Sequence, residues 1–261
     1  MAETVIEVRG LRNQFGRHVV HEGLDLDVYR GEILGVVGGS GTGKSVLLRA
    51  ITGLLRPAAG TIRLLGTEVV SASEAERRAL SGRIGVMFQD GALFSSLTVR
   101  ENVEVPLRDI PGLDPETREG LARLKISLSG LPWNAGDKFP SELSGGMRKR
   151  AGLARALARD PEIVFLDEPT AGLDPIGAAA FDELIRDLST SLGLTVFLVT
   201  HDLDTLYAAC DRVAVLAEKR VLAAGPLDAM PDIDHPWIRE YFCGPRARAA
   251  REEGAPDEAK G

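Results

Sequence analysis

The apolar positions of the chain follow two different patterns. Apolar and polar residues alternate over residues 5–8 and 23–28, which predicts strands with one face toward solvent. Farther along, short runs are apolar at nearly every position, as is typical of strands covered on both faces. These runs are residues 33–37, 84–88, 163–166, 195–199 and 213–216. Amphipathic segments such as 176–192 separate several of the runs, so we predict an α/β fold with a mostly parallel sheet and an antiparallel β subdomain before it.

The strand pattern is absent from residues 91–159. Segments 115–128 and 146–158 have helical spacing, so we predict a mainly helical subdomain inserted into the α/β core. The predicted domain spans residues 4–245. Its parts are the core (4–90 and 160–230), the helical subdomain (91–159) and a C-terminal helical segment (231–245). Residues 246–261 are rich in Arg, Ala, Glu and Gly, which predicts a mobile tail.

Composition and charge narrow the class of protein. The 261 residues can bury a full core, and the net charge of −7 argues against nucleic acid as a partner. No apolar stretch approaches the roughly 18–20 residues that cross a bilayer, and the N-terminus offers no export signal. Cys210 and Cys243 are too few for a disulfide framework. We therefore expect a cytoplasmic protein.

The segment Gly38-Gly39-Ser40-Gly41-Thr42-Gly43-Lys44-Ser45 matches the phosphate-binding loop pattern G-x-x-x-x-G-K-[ST]. It follows an apolar run and precedes a helical segment over residues 46–51, which is the context that such a loop requires. Glycines let main-chain N–H groups turn toward a polyphosphate, and a helix N-terminus adds partial positive charge. Lys44 is expected to reach the β- and γ-phosphates, and the Ser45 hydroxyl to ligate Mg²⁺. The loop predicts nucleotide binding.

Two adjacent carboxylates follow the apolar run 163–166. Asp167 can hold Mg²⁺ directly or through water, whereas Glu168 points elsewhere and can polarise an attacking water. Adjacent acids at a strand end often form only a solvated turn. The phosphate-binding loop in the same chain favours the catalytic interpretation.

A third motif, Leu143-Ser144-Gly145-Gly146-Met147, opens a predicted helix and presents a second anion-binding N-terminus. In its position between the loop and the two acids, it resembles the signature of the ATP-binding-cassette (ABC) ATPases, and the resemblance covers residues 4–225. It implies the RecA-like P-loop NTPase fold of that family, hydrolysis of ATP, and Mg²⁺ as a cofactor. Met147 departs from the usual Gln, and Val46 from the usual Thr, although the Val46 main-chain N–H remains to bind phosphate. Neither change removes a group on which hydrolysis depends.

The same resemblance implies further site residues. Phe15 is placed like the aromatic residue that stacks on adenine. Gln89 resembles the glutamine that approaches Mg²⁺ and the attacking water, and His201 resembles the histidine that contacts the γ-phosphate. Asp174 lies in a segment that resembles the loop crossing to a partner subunit. The implied Mg²⁺ ligands are Ser45, Gln89 and Asp167, and the implied catalytic residues are Lys44, Gln89, Glu168 and His201.

Partners also follow from the resemblance. An ABC signature helix caps ATP on a second copy, so a homodimer is implied in which Ser144, Gly145 and Gly146 supply donors to the γ-phosphate in trans. A transporter of this kind needs separate integral membrane permease subunits, and residues 91–103 resemble the groove that receives a short permease helix. The implied location is the cytoplasmic face of the inner membrane, held there through the permease.

Several segments resemble one branch of the family, the ATPases of Mla/Mce-type lipid transporters. They are residues 89–94, 105–108, 140–143 with Met147, 201–203 and 236–242. The implied cargo is phospholipid or another lipid, with an Mce-type lipid-binding subunit as a further partner. Trp237, Tyr241 and Phe242 fall on one helical face, which packs against its own core or contacts the neighbouring ATPase subunit.

Two other functions stay open. An importer ATPase for polar nutrients often carries a long C-terminal regulatory domain, for which this chain is short, although compact versions exist. ABC proteins acting on ribosomes usually hold two cassettes in one chain, and those acting on DNA separate the motifs by a long coiled coil. The compact spacing of the motifs and the negative net charge of this chain disfavour the proteins that act on ribosomes or DNA.

Overall fold

The computed structural model describes residues 3–244, so Pro245 and the predicted tail lie outside the described residues. The strands are β1 (Thr4–Phe15), β2 (His18–Tyr29), β3 (Ile33–Gly38), β4 (Ala59–Leu64), β5 (Thr67–Glu68), β6 (Ile84–Met87), β7 (Ile163–Asp167), β8 (Thr195–Val199), β9 (Arg212–Ala217) and β10 (Arg220–Gly225). The α-helices are α1 (Lys44–Ile51), α2 (Glu74–Ser81), α3 (Val99–Glu104), α4 (Pro115–Leu128), α5 (Gly145–Ala156), α6 (Pro175–Leu192), α7 (Leu203–Ala209) and α8 (Pro236–Cys243). Short 3₁₀ helices cover Val105–Asp109, Trp133–Asp137, Pro140–Glu142 and Leu227–Asp232.

The described residues fall into two compact units, the first of residues 3–70 and 199–244 and the second of residues 71–198. The first unit contains an antiparallel sheet in the order β2-β1-β4-β5. In β1 the alternation buries Ile6 and Val8, and Val8 pairs with Leu26 of β2. Leu11 is buried beyond a register shift. The predicted half-buried N-terminal strands are therefore confirmed.

The first unit also holds the strand order β10-β9-β3, in which β3 runs parallel to β9 and β10 runs antiparallel to it. All positions of β3 are buried, as its continuous apolar run predicts. Gly35 lets α7 approach this strand, because a Cβ there would lie 2.5 Å from Leu206 Cδ2. This close packing supports the end of β3, from which the phosphate-binding loop starts.

The second unit contains the strand order β8-β7-β6, with β6 parallel to β7. Strands β7 and β8 are buried at every position, as predicted. The prediction for residues 84–88 was wrong in one respect. Strand β6 lies at the sheet edge, so Ile84 and Val86 stay half-buried while Gly85 and Met87 are buried.

Helices α3, α4 and α5 of the second unit surround an apolar core of their own. Its members include Val99, Val103, Leu107, Ala122, Ile126, Ala151 and Ala154. Helix α4 has the predicted bounds and starts after Asp114, whose side chain accepts a hydrogen bond from Thr117 N at 2.9 Å. Helix α5 begins one residue before the predicted start and ends two residues earlier than predicted. Among residues 3–244, no helix has the length and apolar character needed to cross a bilayer.

Candidate functional site

The phosphate-binding loop of the first unit connects β3 to α1. Gly41 and Gly43 have φ angles of 78° and 94°, a region that favours glycine. The Thr42 hydroxyl donates to Gly39 O at 2.9 Å and thereby closes the loop. A Cβ at Gly38 would lie 2.7 Å from Thr42 Oγ1, so this position also requires glycine. Local backbone geometry therefore explains why the loop has this composition.

The Lys44 ammonium binds the loop's own carbonyls. Its Nζ donates to Gly38 O at 2.8 Å and lies 3.4 Å from Gly39 O. Helix α1 starts at Lys44 with no acidic residue in its first turn, so its N-terminal partial positive charge is not offset locally. Lys44, Ser45 and Val46 are half-buried. The loop, the ammonium and the helix N-terminus together form a site suited to a phosphate anion.

A histidine that sequence reasoning missed lies behind the loop. His21 on β2 is fully buried, and its Nε2 lies 2.6 Å from where a Cβ on Gly43 would be. The Asn13 amide nitrogen is 3.0 Å from His21 Nδ1. Burial lowers the pKa of His21 to about 4, against a smaller opposing effect of the Thr42 main chain. A neutral imidazole therefore packs against the loop at neutral pH.

Helix α8 contacts the phosphate-binding loop and the segment after β8, all within the first unit. A Cβ on Gly39 would lie 3.6 Å from Trp237 Nε1, and the Tyr241 hydroxyl donates to His201 O at 3.0 Å. The Trp237 and Tyr241 rings stack with centroids 4.7 Å apart, and Phe242 is buried. The aromatic face of α8 therefore packs within its own unit. Its contact with a neighbouring subunit stays a prediction.

The two remaining candidates of the first unit lie at element ends. Phe15 is the last residue of β1 and is 49% exposed, so its ring face is accessible for stacking on a base. His201 follows β8 and is exposed, while the next residue, Asp202, caps α7 by accepting from Asp204 N at 3.1 Å. Phe15 and His201 are therefore positioned by the ends of β1 and β8.

The adjacent carboxylates of the second unit differ in environment. Asp167 ends β7 and is 6% exposed, whereas Glu168 is half-buried. The Glu168 backbone has a φ of 50°, in the left-handed region, which costs on the order of 1–3 kcal/mol for a residue with a side chain. Such strain persists only where surrounding contacts hold the backbone, and it accumulates at functional sites. Gln89, after β6, exposes its side chain.

Lys149 on α5, also missed from the sequence, joins two of these segments. Its Nζ donates to Gln89 O and, at 2.9 Å, to Glu168 O, so one ammonium binds the main chain of both candidates. Burial lowers the pKa of Lys149, and the nearby carboxylates of Asp90, Glu168 and Asp167 oppose this shift. A signal was available in the sequence, because Lys149 shares a helical face with Gly152, Leu153 and Ala156.

The signature motif presents an exposed helix N-terminus. Ser144 caps α5 by accepting from Met147 N at 3.2 Å, and Ser144 and Gly145 are both exposed. Gly146 lies beside the loop that precedes α6, since a Cβ there would be 3.7 Å from Leu173 Cδ2. In that loop, Asp174 caps α6 by accepting from Gly177 N at 3.0 Å. The second unit therefore brings the signature and the Asp174 loop together on its surface.

The candidate metal ligands are all oxygen donors. Ser45 offers a hydroxyl, Gln89 an amide carbonyl and Asp167 a carboxylate. Mg²⁺ prefers such ligands and keeps several of its sites for water and substrate phosphate. The chemistry of these donors therefore fits Mg²⁺.

Comparison of the sequence with known proteins gives consistent matches. A family model described as "ABC transporter" matches residues 21–171. The probable ribonucleotide transport ATP-binding protein mkl of Mycobacterium leprae is 40% identical over 243 residues, covering 92% of this chain and 69% of that protein. The methionine import ATP-binding protein MetN of Rhizobium etli is 40% identical over 224 residues, covering 86% of this chain and 62% of MetN.

Solved structures of similar fold include two ATP-binding cassettes. The dimeric post-hydrolysis state of MJ0796 bound to ADP and Pi matches with a TM-score of 0.78 and 28% identity, covering 85% of this chain and 98% of that one. The cbiO1 protein of Clostridium perfringens, part of the transporter complex cbiONQ, matches with a TM-score of 0.79 and 28% identity. That match covers 97% of this chain and 100% of the other. The predicted cassette fold is confirmed by these neighbours.

Proposed function

Because the chain belongs to the ABC transporter family of ATP-binding proteins, we propose that it drives lipid movement through a separate membrane permease. ATP binding and ATPase activity coupled to transport are properties of this family. The observation that carries the assignment as a transport ATPase is the succession of three motifs within the matched residues 21–171. These are the phosphate-binding loop, the signature at Ser144 and the acids Asp167 and Glu168.

In the first unit, we assign nucleotide binding to residues 38–46. Main-chain N–H groups of the loop and the N-terminus of α1 neutralise phosphate charge. The Lys44 ammonium, which now donates to Gly38 O, exchanges that carbonyl for β- and γ-phosphate oxygens. Phe15 stacks on the base, and His201 donates to the γ-phosphate. Exposure of both side chains supports these roles.

In the second unit, we assign the hydrolytic chemistry to Glu168, with Gln89 orienting the attacking water. Hydrolysis of this kind needs a positioned water and stabilised phosphate charge, and little covalent work by protein. The proposed Mg²⁺ ligands are Ser45, Gln89 and Asp167, and the ion would supply neutralisation of phosphate charge. The position of Asp167 at the end of β7, next to Glu168 in the chain, supports a ligand role.

We also propose that two copies close around ATP. Ser144, Gly145 and Gly146 would bind the γ-phosphate held by the partner subunit, and Asp174 would lie at the crossing loop. Two observations support this: Ser144 and Gly145 are exposed at the N-terminus of α5, and the similar cassette MJ0796 is dimeric. Ile176, next to the Asp174 loop, is 82% exposed and would add an apolar contact to the proposed interface.

The proposed cargo is phospholipid or another lipid, with an Mce-type lipid-binding subunit and integral permease subunits as partners. This rests on the segments that resemble Mla/Mce-type ATPases, among them residues 89–94 and 236–242. The permease would hold the protein at the cytoplasmic face of the inner membrane, and cbiO1, similar in structure, is part of a transporter complex.

A second candidate is the ATPase of a polar-nutrient importer. The relatives named for methionine import and ribonucleotide transport favour it. Copurification from membranes with the tagged full chain separates the two. A permease accompanied by a lipid-binding subunit supports lipid transport, whereas a permease that binds an amino acid or nucleotide supports the importer. Nucleic acid or ribosomes instead of a permease would refute both.

The catalytic assignment is tested by Glu168→Gln. Without the carboxylate, turnover should fall by at least about 100-fold, while ATP affinity stays within about twofold. The dimer should accumulate at saturating Mg-ATP in sedimentation experiments. Glu162→Gln is the matched control, since Glu162 precedes the same strand and pairs with Arg83 at the surface. Near-normal turnover in Glu168→Gln would contradict the assignment.

A further inference from the structure

Helix α5 is attached along its length to the segment that follows β6. Near its start, Lys149 Nζ donates to Gln89 O. In the middle, a Cβ on Gly152 would lie 2.8 Å from Gly91 Cα, so the two backbones are in direct contact. Toward its end, Arg155 Nη2 donates to Gly91 O at 2.9 Å. The signature helix and the Gln89 segment are therefore held together as one packed element.

Lys149 extends this attachment to the main chain of Glu168, the proposed catalytic residue. The same ammonium donates to Glu168 O at 2.9 Å, at the residue whose φ of 50° is strained. Only 6% of Lys149 is exposed, so its charge is removed from most of its water. Burying a charge is unfavourable unless hydrogen bonds and nearby opposite charges compensate it. Two carbonyls and the carboxylates of Asp90, Glu168 and Asp167 provide that compensation.

We propose that Lys149 is a positioning residue for ATP hydrolysis, holding the main chain of Gln89 and Glu168 in register with the signature helix. The inference rests on the proposed function of Glu168. Two charge-assisted hydrogen bonds to main-chain carbonyls keep Glu168 in its left-handed conformation and so aim its carboxylate. They also connect the Glu168 main chain to α5, whose N-cap residue Ser144 is proposed to meet the partner's ATP. Lys149 touches no reacting atom in this account.

The test compares three variants of the full chain. Lys149→Met removes the ammonium and keeps an unbranched side chain of similar length. Lys149→Arg keeps a cation with several donors and should rescue the activity. Lys125→Met is the matched control, because Lys125 on α4 is also buried in the second unit but pairs with Asp160 and contacts neither carbonyl. The kcat and KM for ATP and the dissociation constant for ATP are measured for each, well below its unfolding temperature.

We expect Lys149→Met to lower kcat by about 10-fold or more with ATP affinity within about twofold of wild type, since misplacement affects the reaction step and not binding. Lys149→Arg should keep at least about one third of the wild-type kcat. Lys125→Met should keep the wild-type kcat even if its stability falls. A Lys149→Met kcat within about twofold of wild type, or an equal kcat loss in Lys125→Met, refutes the proposal.

Hydrogen exchange supplies a readout independent of turnover. Gly91 N donates to Phe88 O at 2.7 Å, and Ala171 N to Glu168 O at 3.3 Å. Both amides should exchange about 10-fold faster in Lys149→Met than in Lys125→Met, and unchanged exchange contradicts the proposal. If Lys149→Met does not fold, Lys149→Gln, with one neutral donor group, replaces it under the same criteria. A wild-type protein without ATPase activity refutes the proposed function. If Lys149→Met hydrolyses ATP normally while Glu168→Gln does not, only the inference about Lys149 is refuted.

Discussion

His21 makes the stability of the first unit depend on pH. Its imidazole is fully buried behind Gly43, and burial lowers its pKa from 6.5 to about 4. Between these two values the unfolded chain binds a proton that the folded protein does not, so acid favours unfolding. The stabilising contribution is complete above pH 6.5 and is lost as the pH falls toward 4.

The size of the effect follows from linkage. One pKa unit corresponds to about 1.4 kcal/mol, so a shift from 6.5 to about 4 corresponds to about 3 kcal/mol in full. Acidification from pH 7 to pH 5 covers part of this range and should lower the free energy of unfolding by about 2 kcal/mol through His21 alone. Other groups titrate as well, so the quantity to measure is the difference between wild type and a variant that lacks the imidazole.

His21→Gln is the variant of choice, because its amide oxygen can still accept from the Asn13 side chain but does not titrate. His18→Gln is the matched control, since His18 lies on the same strand and is exposed. Urea unfolding is followed at pH 7 and pH 5 by the fluorescence of Trp237, which lies in the same unit as His21. A Trp133→Phe background removes the second tryptophan, whose side chain is 74% exposed.

The wild type and His18→Gln should each lose about 2 kcal/mol more than His21→Gln between the two pH values. Parallel pH profiles for the wild type and His21→Gln would refute the reasoning. They would mean that the buried imidazole is protonated in the folded state or that its burial carries no penalty.

Three further predictions concern packing and caps, each measured by chemical unfolding. Tyr241→Phe removes the hydrogen bond to His201 O and should lower the free energy of unfolding by about 1 kcal/mol. An unchanged free energy of unfolding would show that this bond does not stabilise the packing of α8. Gly152→Ala places a methyl group 2.8 Å from Gly91 Cα and should cost about 1–3 kcal/mol, whereas Gly120→Ala, with open space around it, should not. Asp174→Ala removes the N-cap of α6 and should lower the free energy of unfolding by about 1 kcal/mol. Asp174→Asn keeps a capping side chain and should recover most of that loss.

The sequence alone determined the features that depend on neighbouring residues. Helix α4 followed from the helical spacing of residues 115–128, and its start is fixed locally, because the Asp114 cap and the preset φ of Pro115 act within one helical turn. The phosphate-binding loop was identifiable because its glycines answer a local backbone requirement, as Gly41 and Gly43 show. The buried strands β3, β7 and β8 followed from their continuous apolar runs.

Only the tertiary structure decided which distant segments meet. The edge position of β6 depends on which strand pairs with it, and an apolar run of the same kind also marks central strands. The contacts of Lys149 with Gln89 and Glu168 span 60 and 19 positions of the chain, and the Tyr241–His201 bond spans 40. Hydrogen bonding and burial act through space over a few ångströms, so groups far apart in sequence acquire their partners and shifted pKa values only when the chain has folded.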